Sequence, residues 1–192
     1  MNKLLVTLLF TPLFSYAGTL NTFTLPSKNT CEGSYYADIQ ASFPQVDFNS
    51  LDRLYIPAGH YSFYQIGNLP LRNSSNPLVI SNQGGQVRVG GCGHYNNFKI
   101  NGGSNWILTG KYSQDDQTGN AQFKGHAEGQ YAYSADTYGI LIDADYGQAN
   151  IGLSVAGGAT DYQVSFLEVR HLDFAGMMFK TDNNGTAHMN NV

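Results

Sequence analysis

Apolar residues come in short runs separated by Gly, Asn and Asp, and helical periodicity is weak after the first seventeen residues. The runs are Leu54-Tyr55-Ile56, Phe63 to Ile66, Leu78 to Ile80, Val87 to Val89 and Phe98 to Ile100. They continue with Trp106 to Thr109, Gly139 to Ile142, Ile151 to Val155, Phe166 to Val169 and Gly176 to Phe179. Each has strand length and strand composition, so the pattern predicts an all-β fold of many short strands. A sandwich, a barrel and a solenoid all meet that description, and internal repetition separates them. Taken three to a turn, the runs fall into register. One sheet stacks Val87-Arg88-Val89, Ile140-Leu141-Ile142 and Met177-Met178-Phe179. A second stacks Phe63 to Ile66, Phe98 to Ile100 and Ile151 to Val155. A third stacks Leu78 to Ile80, Ile107 to Thr109 and Leu167 to Val169. Tyr138-Gly-Ile-Leu-Ile is echoed 37 residues later by Ala175-Gly-Met-Met-Phe. Asn76, Asn82, Asn97, Asn101, Asn105 and Asn150 fall at strand ends, where a side chain that tolerates left-handed backbone suits a corner. The polar stretch 113–137 has no core pattern and reads as a long loop leaving the coils.

The first residues differ in kind. Met1-Asn2-Lys3 is a short positive start, Leu4 to Phe14 is mostly apolar, and Ser15-Tyr16-Ala17 is a small-residue cleavage site. The expectation is a signal peptide over 1–17, an N-terminal segment or cap over 18–53, and β-coils over 54–192. The apolar run is too short for a membrane span, and no other run is long enough, so no span is expected after signal cleavage. Location is then secreted, periplasmic or at the cell surface. Loss of Lys3 leaves 9 basic and 14 acidic side chains, a net charge of −5 with no Lys/Arg cluster. That excludes nucleic acid as a general partner. In an oxidising compartment Cys31 and Cys92 are expected to pair, tying the N-terminal segment to the first full coil. Two buried thiols are the alternative. A metal site is disfavoured because no CxxC spacing is present.

Leu54-Tyr-Ile-Pro-Ala-Gly-His-Tyr61 resembles the opening motif of pectin-lyase-like right-handed parallel β-helices. Asn76-Pro-Leu-Val-Ile-Ser-Asn-Gln-Gly-Gly85 is similar to their apolar strand followed by an Asn/Gly-Gly turn. Trp106-Ile-Leu-Thr-Gly110 and Tyr138-Gly-Ile-Leu-Ile142 continue the likeness, which spans about Leu54 to Thr181. The resemblance implies a right-handed parallel β-helix, incomplete at the C-terminus, since further coils and a cap normally follow. It also implies polysaccharide as partner and, through alginate- and dermatan-type lyases, β-elimination at a uronate. A non-catalytic extracellular structural or adhesion solenoid is the alternative.

Such a lyase needs a base and a neutraliser for the uronate carboxylate. Lys180 follows an apolar strand much as a catalytic Lys does in the resembling lyases. In the register above it lies beside Asp143 on the neighbouring coil, about 5 Å away; a surface ion pair is the alternative use. Asp143 and Asp145, two apart, are candidates for calcium with Asp115 and Asp116 of the loop, although calcium asks for six to eight oxygens. Trp106, Tyr112, Tyr131, Tyr133 and Tyr138 are candidates for stacking on sugar rings or for pinning the loop. In Leu167-Glu-Val-Arg-His-Leu172, Glu168 and Arg170 share the outer face as an ion pair, and His171 reads as a corner residue. No Gly-x-Ser-x-Gly, His-Glu-x-x-His, phosphate-loop or dinucleotide motif is present.

Overall fold

The computed structural model describes residues 20–93, 96–110, 138–144 and 151–180. Eleven strands and one short helix follow in chain order: β1 Thr22–Thr24, β2 Glu32–Tyr36, α1 Ile39–Ser42, β3 Arg53–Ile66, β4 Leu78–Val89, β5 Asn96–Asn101, β6 Trp106–Thr109, β7 Ile140–Asp143, β8 Ile151–Ala156, β9 Gln163–Ser165, β10 Glu168–Arg170 and β11 Ala175–Phe179. They belong to a single curled sheet in which every pairing is parallel.

The pairings sort into three ladders. The first runs from β1 through the start of β3, the start of β4 and β6 to β9. The second runs from Gly59–Tyr61 of β3 through Val87–Val89 of β4 and β7 to β10. The third runs from β2 through the end of β3, β5 and β8 to β11. Strands β3 and β4 are long because each bends through more than one ladder without leaving the sheet.

Side-chain alternation then fills the interior, because equivalent residues of successive rungs stack on one another. Phe23, Leu54, Ile80, Leu108 and Val164 form the inner column of the first ladder. Tyr61, Val89, Ile142 and Val169 form that of the second. Ile66, Ile100, Val155 and Phe179 form one column of the third, beside Tyr64, Phe98, Leu153 and Met177. The middle members are buried completely, each contributing about 1.5–3 kcal/mol of apolar transfer. On the β9–β11 rung, the last among the described residues, Met177 is 43% exposed.

At the other end Phe23, Tyr36, Phe43 and Phe48 interlock, with ring centroids 5.0–6.2 Å apart, and close the core above the first rung. Helix α1 brings Phe43 there. Asp38 starts it by accepting the Ala41 N–H at 2.8 Å, the expected role of an Asp cap. Within Pro57-Ala-Gly-His-Tyr61, the Tyr61 hydroxyl donates to the Pro57 carbonyl at 2.7 Å and closes the bend between ladders. Burial, with the nearby Tyr36, pushes that phenol up to about 12, so it remains a donor at any ordinary pH.

The expected stacking holds for the Phe63, Phe98 and Ile151 runs and for Val87 with Ile140; the Leu78 run lies on the expected strand one residue out of register, with Leu78 against Trp106 and Val79 against Ile107. It fails at the last rung. Met177 to Phe179 lie over Leu153 to Val155, not over Ile140 to Ile142. Glu168 to Arg170 lie over Leu141 to Asp143, and Gln163 to Ser165 take the place above Ile107 to Thr109. The cause is β9: Gln163-Val-Ser has one apolar residue, which gives no strand signal, so every later run was displaced by one ladder. The expected Asp143–Lys180 neighbourhood is therefore replaced by Asp143 beside Arg170. The signal segment 1–17, the loop 113–137 and the residues after Lys180 lie outside the described residues. No helix among the described residues is long and apolar enough to cross a membrane.

Candidate functional site

The outer face of the second ladder carries the densest group of ionisable side chains. Strand alternation that sends Val87, Val89, Ile140, Ile142 and Val169 inward turns Arg88, Leu141, Asp143, Glu168 and Arg170 outward. Register sets Arg88 against Leu141 and Leu141 against Glu168, and it pairs Asp143 with Arg170. Arg88 and Arg170 thus reach Asp143 from opposite sides: each places an Nη2 at 3.1 Å from its Oδ2. Arg170 Nη1 lies 3.2 Å from Glu168 Oε1, the link expected within that strand. His171 leaves β10 in the left-handed region, at φ 56°, and this corner aims its ring back so that Nδ1 lies 2.8 Å from Asp143 Oδ1. Gly90 makes the approach of rungs possible. At φ 109° a side chain is strained, and a Cβ there would stand 2.6 Å from the Asp143 carbonyl oxygen.

Only 6% of the Asp143 side chain is exposed, against 42% for Arg88, 32% for Arg170 and 40% for His171. The carboxylate is a buried anchor under three accessible cationic or basic groups. Burial acts to raise its pKa. The hydrogen bonds from Arg170 and His171 and the charges of Arg170 and Arg88 outweigh that and hold it below the ordinary value. Arg170 responds in the other sense: burial works against its charge, and Asp143 and Glu168 more than compensate. An ionised Asp143 can only accept, so His171 carries its hydrogen on Nδ1 in this contact and turns Nε2 away from the carboxylate. The face therefore combines two guanidinium groups, suited to a carboxylate or sulfate, with a carboxylate-oriented imidazole suited to take a proton.

The residues singled out from sequence are distributed otherwise. Trp106 is 1% exposed and stacks on Tyr162 at 4.6 Å, with its Nε1–H directed to the Gly102 carbonyl at 3.3 Å. It is a core residue and offers no ring to the surface. Tyr138 is half-buried just before β7, and its carbonyl accepts from Gln86 at 3.0 Å. Tyr112, Tyr131, Tyr133 and Asp145, like Asp115 and Asp116, lie outside the described residues. Asp143 faces two guanidinium groups and an imidazole, surroundings that repel a calcium ion. Lys180 follows β11 on the third ladder, where its N–H donates to Val155 at 3.0 Å. Cys31 and Cys92 are joined, with their Cα atoms 5.9 Å apart. Arg88 was not singled out; its one sequence signal is a charged residue between two valines that must both face inward.

Elsewhere an open cleft of about 150 Å³ is lined by Asn49, Leu71, Arg72, Asn73 and Asn76. Arg72 is committed to structure there, donating to the carbonyls of Phe48 at 2.6 Å and Asn76 at 2.8 Å. The chain matches no protein-family model, no curated protein and no solved structure.

Proposed function

We propose that the curled sheet is a parallel β-helix of an exported protein, and that its second ladder binds acidic polysaccharide and cleaves it by β-elimination at a uronate. From β3 onward, successive runs visit the three ladders in the same order on each circuit, which favours a coil. The right hand follows from the general handedness of parallel crossovers and from the resemblance of the Leu54–Tyr61 and Asn76–Gly85 segments.

One observation carries the activity: Arg88, Arg170 and the Asp143-bound His171 share one accessible face. In the reaction the guanidinium groups meet the uronate carboxylate and stabilise the charge that develops when the neighbouring C–H is broken. His171 Nε2 takes that proton. The electron pair forms the carbon–carbon double bond as the glycosidic C–O bond breaks. The proton then passes from the imidazolium to the departing oxygen, so the base returns to its starting state. Lys180 and Tyr138 remain candidates for contacts farther along a bound chain, as do Tyr112, Tyr131 and Tyr133.

The test is the ultraviolet absorbance of unsaturated uronates during incubation with alginate, pectate and dermatan. Wild type is expected to produce it on one of these. His171→Gln should lose at least a hundredfold in rate while still binding the polymer, because a general base typically contributes that much. Arg88→Gln should weaken binding. Absence of product with all three polymers removes the lyase reading. Retention on a polyuronate column without product would instead assign the face to a non-catalytic adhesion solenoid.

A further inference from the structure

We propose that Cys31, His60 and Cys92 form a zinc site whenever the Cys31–Cys92 disulfide is reduced, so that one locus holds either a covalent or a metal clasp. The three residues come from distant positions that the ladders bring together. Cys31 immediately precedes β2, His60 lies on the bend of β3, and Cys92 follows β4. Their ligand atoms all lie within 4.8 Å of one another. Cys31 Sγ is 4.0 Å from His60 Nδ1, the nitrogen that would bind the ion, and Cys92 Sγ approaches the same ring from its Nε2 side at 3.8 Å. A tetrahedral ion with Zn–S near 2.3 Å and Zn–N near 2.0 Å separates its ligand atoms by roughly 3.3–3.8 Å. The sulfurs must part to about that distance, and the backbone, with Cα atoms 5.9 Å apart, already spans it.

The imidazole is prepared for the role. Its Nε2 lies 2.7 Å from the Gly90 carbonyl oxygen, which can only accept, so Nε2 carries the hydrogen. That fixes the tautomer with the lone pair on Nδ1, the nitrogen facing Cys31. A ring N–H held by a backbone carbonyl is the usual outer support of a zinc-bound histidine. Two thiolates neutralise the ion, and two sulfurs with one nitrogen suit zinc better than hard oxygen-seeking cations. The fourth position is left for water. His60 and Cys92 are half-buried and Cys31 is exposed, so reductant and metal can reach the locus.

The chemistry balances with a phosphine or dithiol as reductant. The disulfide takes up two electrons and two protons to give two thiols. Zinc binding then releases two protons as both become thiolates. Reoxidation by a small-molecule disulfide passes two electrons from the thiolates to it, forms the protein S–S bond, releases two small thiols with uptake of two protons, and expels the ion.

The test uses the full chain, reduced anaerobically with a phosphine and titrated with zinc against a chromophoric chelator. The expected result is one zinc per reduced chain, none at this locus in the oxidised chain, and at least a tenfold weaker complex for His60→Ala. Cobalt in place of zinc reports the ligand set in the wild type without any substitution: thiolate-to-metal charge transfer with tetrahedral visible bands is expected. Equal zinc uptake by oxidised and reduced protein overturns the proposal. So does a reduced protein that takes up no zinc, or a cobalt complex lacking thiolate bands.

Discussion

Replacing Asp143 by Asn keeps the shape of the side chain and removes the charge around which the outer face of the second ladder is organised. Two hydrogen-bond partners, Arg170 at 3.1 Å and His171 at 2.8 Å, and the Arg88 guanidinium, ion-paired at 3.1 Å, converge on that carboxylate. Removing one member of a fully buried ion pair costs about 3–5 kcal/mol. Here only the anion is buried. The Arg88 and Arg170 side chains keep 42% and 32% of their surface in water, which offsets part of the loss. The expected destabilisation is therefore about 2–3 kcal/mol, equivalent to a fall in Tm of roughly 4–12 °C for a chain of this size. Urea unfolding should show it as a lower midpoint at unchanged slope. The pH dependence has a definite sign. The folded-state pKa of Asp143 lies below its ordinary value of 3.8, so its contribution is complete above that value and disappears as pH falls through the lowered one. Wild type and variant should accordingly converge in strong acid. A double-mutant cycle of Asp143→Asn with Arg170→Gln should give a coupling of at least about 1 kcal/mol. A variant within 0.5 kcal/mol of wild type at neutral pH, or a cycle without coupling, would refute the placement of these three strands.

Reduction of the disulfide in metal-free buffer should cost about 4 kcal/mol, from the loop entropy of a cross-link spanning 61 positions; calorimetry with and without reductant measures it. Leu108→Ala, fully buried between Ile80 and Val164, should lose about 3 kcal/mol in denaturant unfolding, whereas a loss below 1 would mean it is not in the stacked column. Gly90→Ala should destabilise by about 2 kcal/mol or more through its left-handed backbone and the nearby Asp143 carbonyl. Gly93→Ala, which has open space around its Cβ, serves as the comparison carrying backbone strain alone.

Most of the curled sheet was legible because its inward positions are aliphatic or aromatic and alternate strictly through the third rung. Legibility began at Leu54, because Thr22–Thr24 and Glu32–Tyr36 carry no apolar alternation that signals a strand, and it ended at Gln163-Val-Ser, where one valine between two polar residues is a strand by position alone. That single omission moved Met177 to Phe179 onto the wrong ladder and gave Asp143 a lysine for a neighbour in place of Arg170. Part of the candidate site was visible: Asp143 was expected outward, and Glu168 and Arg170 were expected to pair. Its completion by Arg88, 55 residues before Asp143, depends on rung spacing, which short motifs do not encode. His60 is similar. It stands 29 and 32 residues from the two cysteines, so no ligand spacing announces it. Trp106 shows the opposite failure, since its neighbours in sequence suggested a surface ring while strand alternation buries it.

Arg88, Asp143 and Arg170 stand on three successive rungs of the second ladder, so the candidate site crosses two seams between rungs. Rungs that touch only their neighbours open locally, one against the next. An acidic polymer that bridges Arg88 and Arg170 would therefore act as a latch, and its binding should slow amide exchange in β7 and β10.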